Sequence, residues 1–129
     1  MTLDQTLGIE IASPDGDVWR GSFEVTDAVR QPYGIVHGGA FLTLAETITS
    51  AGTWMGVKDG GQLAMGQEIN ASLMRPISEG TVHGTATVRR RGRTAWIWDV
   101  EITDDEGRLC ALVRATIAVR DASRQTSSA

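Results

Sequence analysis

One stretch of this chain carries the period of an α-helix, and strand-like patterns lie on both sides of it. Phe41, Leu44, Ala45, Ile48, Ala51, Gly52 and Met55 recur at three- and four-residue spacing, the mark of one buried helical face. The pattern predicts a helix from about Gly38 to about Val57. It stops before Lys58-Asp59-Gly60-Gly61, where glycine and a nearby lysine suit a helix C-terminus. Two strands are expected before it, near residues 7–13 and 17–26, with Pro14-Asp15-Gly16 turning between them. A loop containing Pro32 follows. Four strands are expected after the helix, over residues 62–74, 81–91, 94–103 and 109–119. The third of these places Trp96, Trp98, Val100 and Ile102 on one face. Asp104-Asp105-Glu106-Gly107 reads as the hairpin turn into the last. One helix cannot cover both faces of a six-stranded sheet. The natural solution is an α+β fold, a strongly curved antiparallel sheet wrapped around one long central helix.

At 129 residues the chain suits a single domain, with residues 1–6 and 121–129 expected to fray. A domain of this size buries only about two-thirds of its unfolded surface, so association is expected to bury more. The formal net charge of −4 argues against general nucleic-acid binding. The N-terminus has no basic and apolar signal-peptide pattern, and no apolar run nears the ~20 residues that span a bilayer. The single cysteine, Cys110, reads as a buried thiol. The expectation is a cytoplasmic protein with no membrane or nucleic-acid partner.

The chemistry concentrates at the helix start. Gly34-Ile-Val-His37-Gly38-Gly39 puts backbone N–H donors at the electropositive end of a helix, where an oxygen gaining negative charge is stabilised. Glu46 follows a little over two turns later, with Ser50 on the same face and Thr43 and Thr53 nearby. A polar stripe on a central helix points to an interface or a cleft. His37 reads as a structural or orienting residue, and Gln31 taken alone as a loop glutamine. Arg89, Arg90, Arg91 and Arg93 cluster in an acidic chain. Most such runs are solvated hairpin ends, but with Arg75 and Arg120 these could supply a phosphate-binding rim. There is no Walker-A motif, dinucleotide fingerprint or Gly-x-Ser-x-Gly elbow. The two histidines, His37 and His83, lack metal-ligand spacing, so no metal or cofactor is expected.

Several segments together resemble a known family. They are Gln31-Pro-Tyr-Gly-Ile-Val-His37-Gly38-Gly39, Leu44-Ala45-Glu46, Gly66-Gln-Glu-Ile-Asn70, Arg75-Pro76, Glu79-Gly80, Trp96-Ile-Trp98-Asp99-Val100 and Gly107-Arg108-Leu109-Cys110. In this order the chain resembles the hot-dog-fold acyl-CoA thioesterases. The branch is that of the Arthrobacter-type 4-hydroxybenzoyl-CoA thioesterases, the 1,4-dihydroxy-2-naphthoyl-CoA hydrolases and the phenylacetate-pathway thioesterases. The resemblance implies that Glu46 is the catalytic carboxylate, acting as nucleophile or general base, and that the Gly38 N–H polarises the thioester carbonyl. It implies that His37 and Gln31 support the thioester and that Ser50 holds the attacking water. It further implies that Arg75, Arg93, Thr94 and Arg120 contact CoA, which is part of the substrate. It implies a homo-oligomer, a dimer whose protomers join their sheets and share sites, and a tetramer in many members.

The substrate expected from the resemblance is an aryl- or arylacetyl-CoA. A broad medium-chain acyl-CoA thioesterase is the alternative. A hot-dog dehydratase pairing His37 with Glu46, and a non-catalytic acyl-CoA-binding module, are the readings from other classes. Aromatic residues are sparse, and Trp96 and Trp98 read as sheet core rather than as an aryl platform.

Overall fold

The computed structural model describes residues 1–122. The long helix, α2, spans Gly38–Val57 as the periodicity predicts. Before it come a short helix α1, Leu3–Leu7, and strands β1, Glu10–Ile11, and β2, Val18–Glu24. After it come β3, Gln62–Leu73; β4, Thr81–Arg91; β5, Ala95–Thr103; and β6, Leu109–Asp121. The six strands form one antiparallel sheet in the order β1-β2-β4-β5-β6-β3.

The sheet curls around α2 because its register slips three times. An extra residue intrudes between Gly66 and Glu68 and between Val88 and Arg90, and the register shifts again between Ile102 and Thr103. Bulges bend and twist the strands that carry them. Close approach of the helix needs a paired gap in the sheet. Gly21 and Gly84 face each other across β2 and β4, and a β-carbon on either would stand 2.9 Å from the Ile48 side chain. The core is the helical face of Leu44, Ala45 and Ile48 against Val82, Ala86, Val100, Ile102, Ala115 and Ile117, all fully buried. Trp96 and Trp98 are core residues, 7% and 1% exposed.

Four local expectations change. Residues 1–6, expected to fray, contain α1, stabilised by a capping box: the Gln5 N–H donates to Thr2 Oγ1 at 3.4 Å and the Thr2 N–H to Gln5 Oε1 at 2.8 Å. Gly8, left-handed at φ 74°, ends the helix, so the strand expected over residues 7–13 shrinks to β1. At the C-terminus, Asp121 closes β6, and residues 123–129 lie outside the described residues. The helical face also drifts: Met55 is exposed, whereas Thr49 and Thr53 are fully buried. Trp98 Nε1 donates to Thr53 Oγ1 at 2.9 Å, and the two threonine hydroxyls donate to the carbonyls of Ala45 and Thr49 at 2.8 Å. Thr53 therefore serves the core and not the polar stripe of Glu46.

Candidate active site

His37 is the N-cap of α2, and its side chain settles which helix-start donor is free. The Gly39 N–H donates to His37 Nδ1 at 2.9 Å, and the Ala40 N–H to the His37 carbonyl at 2.9 Å. A ring nitrogen that accepts a hydrogen bond carries no proton, so the neutral ring holds its proton on Nε2. The Gly38 N–H has no hydrogen-bond partner among the described residues. Gly38 is a glycine because Leu73 crosses over it, its Cδ1 2.6 Å from where a β-carbon would stand.

The segment leading into His37 is a tight turn. The Gly34 N–H donates to the Gln31 carbonyl and the Gln31 N–H to the Ile35 carbonyl, both at 2.9 Å. Gln31 Oε1 also accepts from the Tyr33 N–H. The His37 N–H donates to the Val29 carbonyl at 2.7 Å, tying the loop to the short 3-10 turn Asp27–Val29. Gln31, His37 and Gly38 then line one cleft of about 440 Å³ with Phe41, Leu73 and Arg75. Four of the expected site residues, Gln31, His37, Gly38 and Arg75, are thus brought together.

Glu46 is not in that cleft. Eight residues beyond Gly38, it sits about 12 Å further along the helix axis. Its exposed side chain lies over β3 at Gly66, and among the described residues it has no hydrogen-bond or ion-pair partner. Ser50 is half-buried one turn on. Gly66 is the site residue that the helix pattern did not single out as such. A glycine inside a strand signals a bulge or a close approach, and here both occur.

The CoA residues divide into two groups. Arg120 Nη1 donates to the Thr94 carbonyl at 2.8 Å, and the Val119 N–H to the same oxygen at 2.9 Å, so Thr94 and Arg120 meet, with Arg93 beside them in the chain. Arg75 is at the opposite end of the sheet, where its N–H donates to the Cys110 carbonyl. Ten residues of β6 separate Cys110 from Arg120, about 33 Å of extended strand. A single protomer therefore does not gather Arg75 and Arg120 into one rim. The arginine run is also divided: Arg89 pairs with Asp99, and Arg91 pairs with Asp17 and lies over the Trp96 ring.

A curled antiparallel sheet around one long helix, with a free N–H at the helix start and a free carboxylate two turns on, has close relatives. Residues 33–111 match the Thioesterase superfamily. The chain belongs to that family. It is 37% identical over 118 residues to the proofreading thioesterase EntH of Cronobacter turicensis, covering 92% of this chain and 85% of that one. It is 36% identical over 120 residues to the 1,4-dihydroxy-2-naphthoyl-CoA hydrolase of Listeria monocytogenes, covering 93% and 97%. The crystal structure of a thioesterase from Haemophilus influenzae superposes with a TM-score of 0.87 at 34% identity, covering 92% of this chain and 82% of that one. This member of the Thioesterase superfamily has the hot-dog fold and is an acyl-CoA thioester hydrolase. Among its described residues, no helix is long and apolar enough to cross a membrane.

Proposed function

We propose that this thioesterase hydrolyses an aryl- or arylacetyl-CoA to the free acid and CoA, at sites that two protomers share. The observation that carries this reading is the division of the chemistry within one chain. The free Gly38 N–H stands at Leu73 and the free Glu46 carboxylate at Gly66, eight residues or about 12 Å apart along the α2 axis. Strand β3 is one of the two sheet edges, the long one, and pairs on one side only. A long open edge is a template for a second chain. Two copies of β3 paired antiparallel about Ile69 and Asn70 would bring Gly66 of one protomer opposite Leu73 of the other. Gly38 of one protomer would then face Glu46 of its partner. The same two-fold would carry Arg75 toward the Thr94–Arg120 end of the other sheet, making one CoA rim from two halves.

In such a site the thioester oxygen accepts from the Gly38 N–H while the carbonyl carbon faces Glu46. Acting as base, the carboxylate takes a proton from a water held by Ser50, and the water oxygen attacks the carbon. Charge gathers on the oxygen at the helix start, where the N–H and the helix dipole stabilise it. Collapse of the tetrahedral intermediate expels the CoA thiolate, which picks up the proton. Direct attack by the carboxylate, followed by hydrolysis of the anhydride, uses the same residues. His37 caps the helix and Gln31 shapes the turn, so both position the donor. A pair of such dimers, a tetramer, extends the reading, as does work in a reducing cytoplasm where the Cys110 thiol persists. The apolar walls of the Gly38 cleft, Phe41 and Leu73 among them, support the medium-chain alternative.

The test is thiol release from 4-hydroxybenzoyl-, phenylacetyl-, 1,4-dihydroxy-2-naphthoyl- and octanoyl-CoA by wild type and Glu46→Gln. Loss of a general base costs about a hundredfold or more, so an aryl-CoA should be cleaved quickly by wild type and hardly at all by the variant. Near-wild-type cleavage by Glu46→Gln would falsify the assignment. Preference for octanoyl-CoA would move the substrate to the medium-chain reading.

A further inference from the structure

The chain has four tryptophans, two phenylalanines and one tyrosine, and packing accounts for five of them. Phe23, Phe41, Trp96 and Trp98 are buried, and Trp19 is half-buried with its ring against Gly52. The remaining two, Tyr33 and Trp54, are 91% and 45% exposed. Both belong to elements that carry site residues. Tyr33 stands at the tip of the turn whose neighbours Gln31 and Ile35 wall the Gly38 cleft. That turn is stiff: Pro32 restricts its backbone, the Gln31 side chain accepts the Tyr33 N–H, and Arg30 and Val36 pair across its base. Trp54 is eight residues beyond Glu46 and four beyond Ser50, on one ridge of α2. Lys58, one turn further on, places Nζ 5.6 Å from the centre of its ring, a cation–π contact that restrains the ring's plane.

We infer that Tyr33 and Trp54 are the two aromatic walls that select a planar aryl acyl group. The inference rests on the shared-site reading above, in which the Gly38 turn of one protomer faces the Glu46 ridge of its partner. Tyr33 then arrives with the donor and Trp54 with the carboxylate, on the two sides of one thioester. Exposed aromatic rings are an unfavourable surface in a lone protomer and a favourable one against another ring, because offset stacking adds to area burial. The acyl group is the part of the substrate next to the thioester. The charged phosphates of CoA suit the arginines, of which Arg75 also lines the Gly38 cleft, and the uncharged acyl group suits the rings. An alkyl chain has no flat face to offer, so the pair should discriminate rather than merely bind.

The test compares kcat/KM for 4-hydroxybenzoyl-CoA and octanoyl-CoA in wild type, Tyr33→Leu, Trp54→Leu, Tyr33→Phe and Trp54→Phe, with the oligomer mass of each variant measured by light scattering. The inference expects each leucine variant to lose ten- to a hundredfold on the aryl substrate and under threefold on octanoyl-CoA, at unchanged mass. The phenylalanine variants, which keep a ring, should retain most of the selectivity. Equal losses on both substrates, no loss on either, or losses that track dissociation of the oligomer would overturn the aromatic pair and leave the shared site standing. A wild type that cleaves neither of these thioesters, nor phenylacetyl- or 1,4-dihydroxy-2-naphthoyl-CoA, overturns the proposed activity and the pair with it.

Discussion

The carboxylate of Glu46 rests on the backbone of Gly66, its Cδ 3.1 Å from where a β-carbon at that position would stand. The contact joins the central helix to the edge strand at a bulge, where the register slips between Gly66 and Glu68. No other side chain among the described residues holds the carboxylate by a hydrogen bond or an ion pair. Its position is therefore set by space: the glycine leaves room, and the helix aims the side chain into it.

Gly66→Ala should uncouple stability from activity. The added methyl meets only the end of a flexible glutamate, which swings aside at little cost to the fold. A carboxylate displaced by about 1 Å loses up to a hundredfold in rate. We expect a Tm within a few degrees of wild type and kcat lower by about tenfold or more. Calorimetry and thiol release on the same preparation check both halves.

His37 offers a way to separate capping from catalysis. His37→Ala removes the acceptor for the Gly39 N–H and should cost about 0.5–2 kcal/mol. Asparagine is among the best N-cap residues, so His37→Asn should recover most of that stability in urea denaturation. Recovery of stability together with activity would make His37 purely a cap. Recovered stability with activity still low would leave it a role at the thioester through Nε2.

Thr53→Val should be costly although it preserves shape. It leaves the Trp98 indole N–H without the acceptor that it now has at 2.9 Å in a fully buried setting. An unsatisfied buried donor costs about 1–3 kcal/mol. Chemical denaturation should show that loss, and Thr53→Ser, which retains the oxygen, should show less of it.

Acid should loosen the clasp between the start of β4 and the β5–β6 hairpin. His83 Nε2 and Asp105 Oδ1 are 2.8 Å apart, and the Thr81 N–H donates to Asp105 Oδ2 at 3.1 Å. The hydrogen bond from His83, and then that from Thr81, lower the Asp105 pKa below its ordinary 3.8. A depressed carboxylate pKa adds stability that is fully present above the unfolded value and is lost as pH falls through the folded one. Wild type should therefore exceed Asp105→Asn in stability at pH 6, and the difference should shrink as pH falls below the ordinary 3.8 and through the lowered folded value. A difference that stayed constant as pH fell from 6 through the acid range would assign the effect to something other than this charge.

The expected and observed structures agree most closely where local pattern and packing coincide. Leu44, Ala45 and Ile48 marked the helix face, and Trp96, Trp98, Val100 and Ile102 the inner face of β5, because burial in these elements repeats with the backbone period. They differ where the period alone does not decide burial. Met55 fits the helical repeat yet is exposed, while Thr53 lies off it and is buried. The curling sheet closes over the end of α2 on a rotated face, and Trp98 supplies the donor that makes a buried threonine tolerable. The Thr2–Gln5 spacing of a capping box was overlooked: residues 1–6 were expected to fray, and they carry most of α1. The division of the arginines was not readable, since Asp17 and Asp99 reach Arg91 and Arg89 only through strand pairing.

Sequence by itself determined the order of the six strands and the long helix from Gly38 to Val57, and its motifs carried the likeness to the hot-dog thioesterases and the candidate acid and donor. These follow from residue type, spacing and period, which are local properties. Tertiary structure decided which N–H at the helix start is left free, that Glu46 rests on Gly66, and that Arg75 stands about ten strand residues from Arg120. It also placed Gly38 and Glu46 too far apart to meet within one chain. Such distances depend on how strands pair and where they bulge, and those pairings link residues far apart in sequence, whose separation no local pattern encodes.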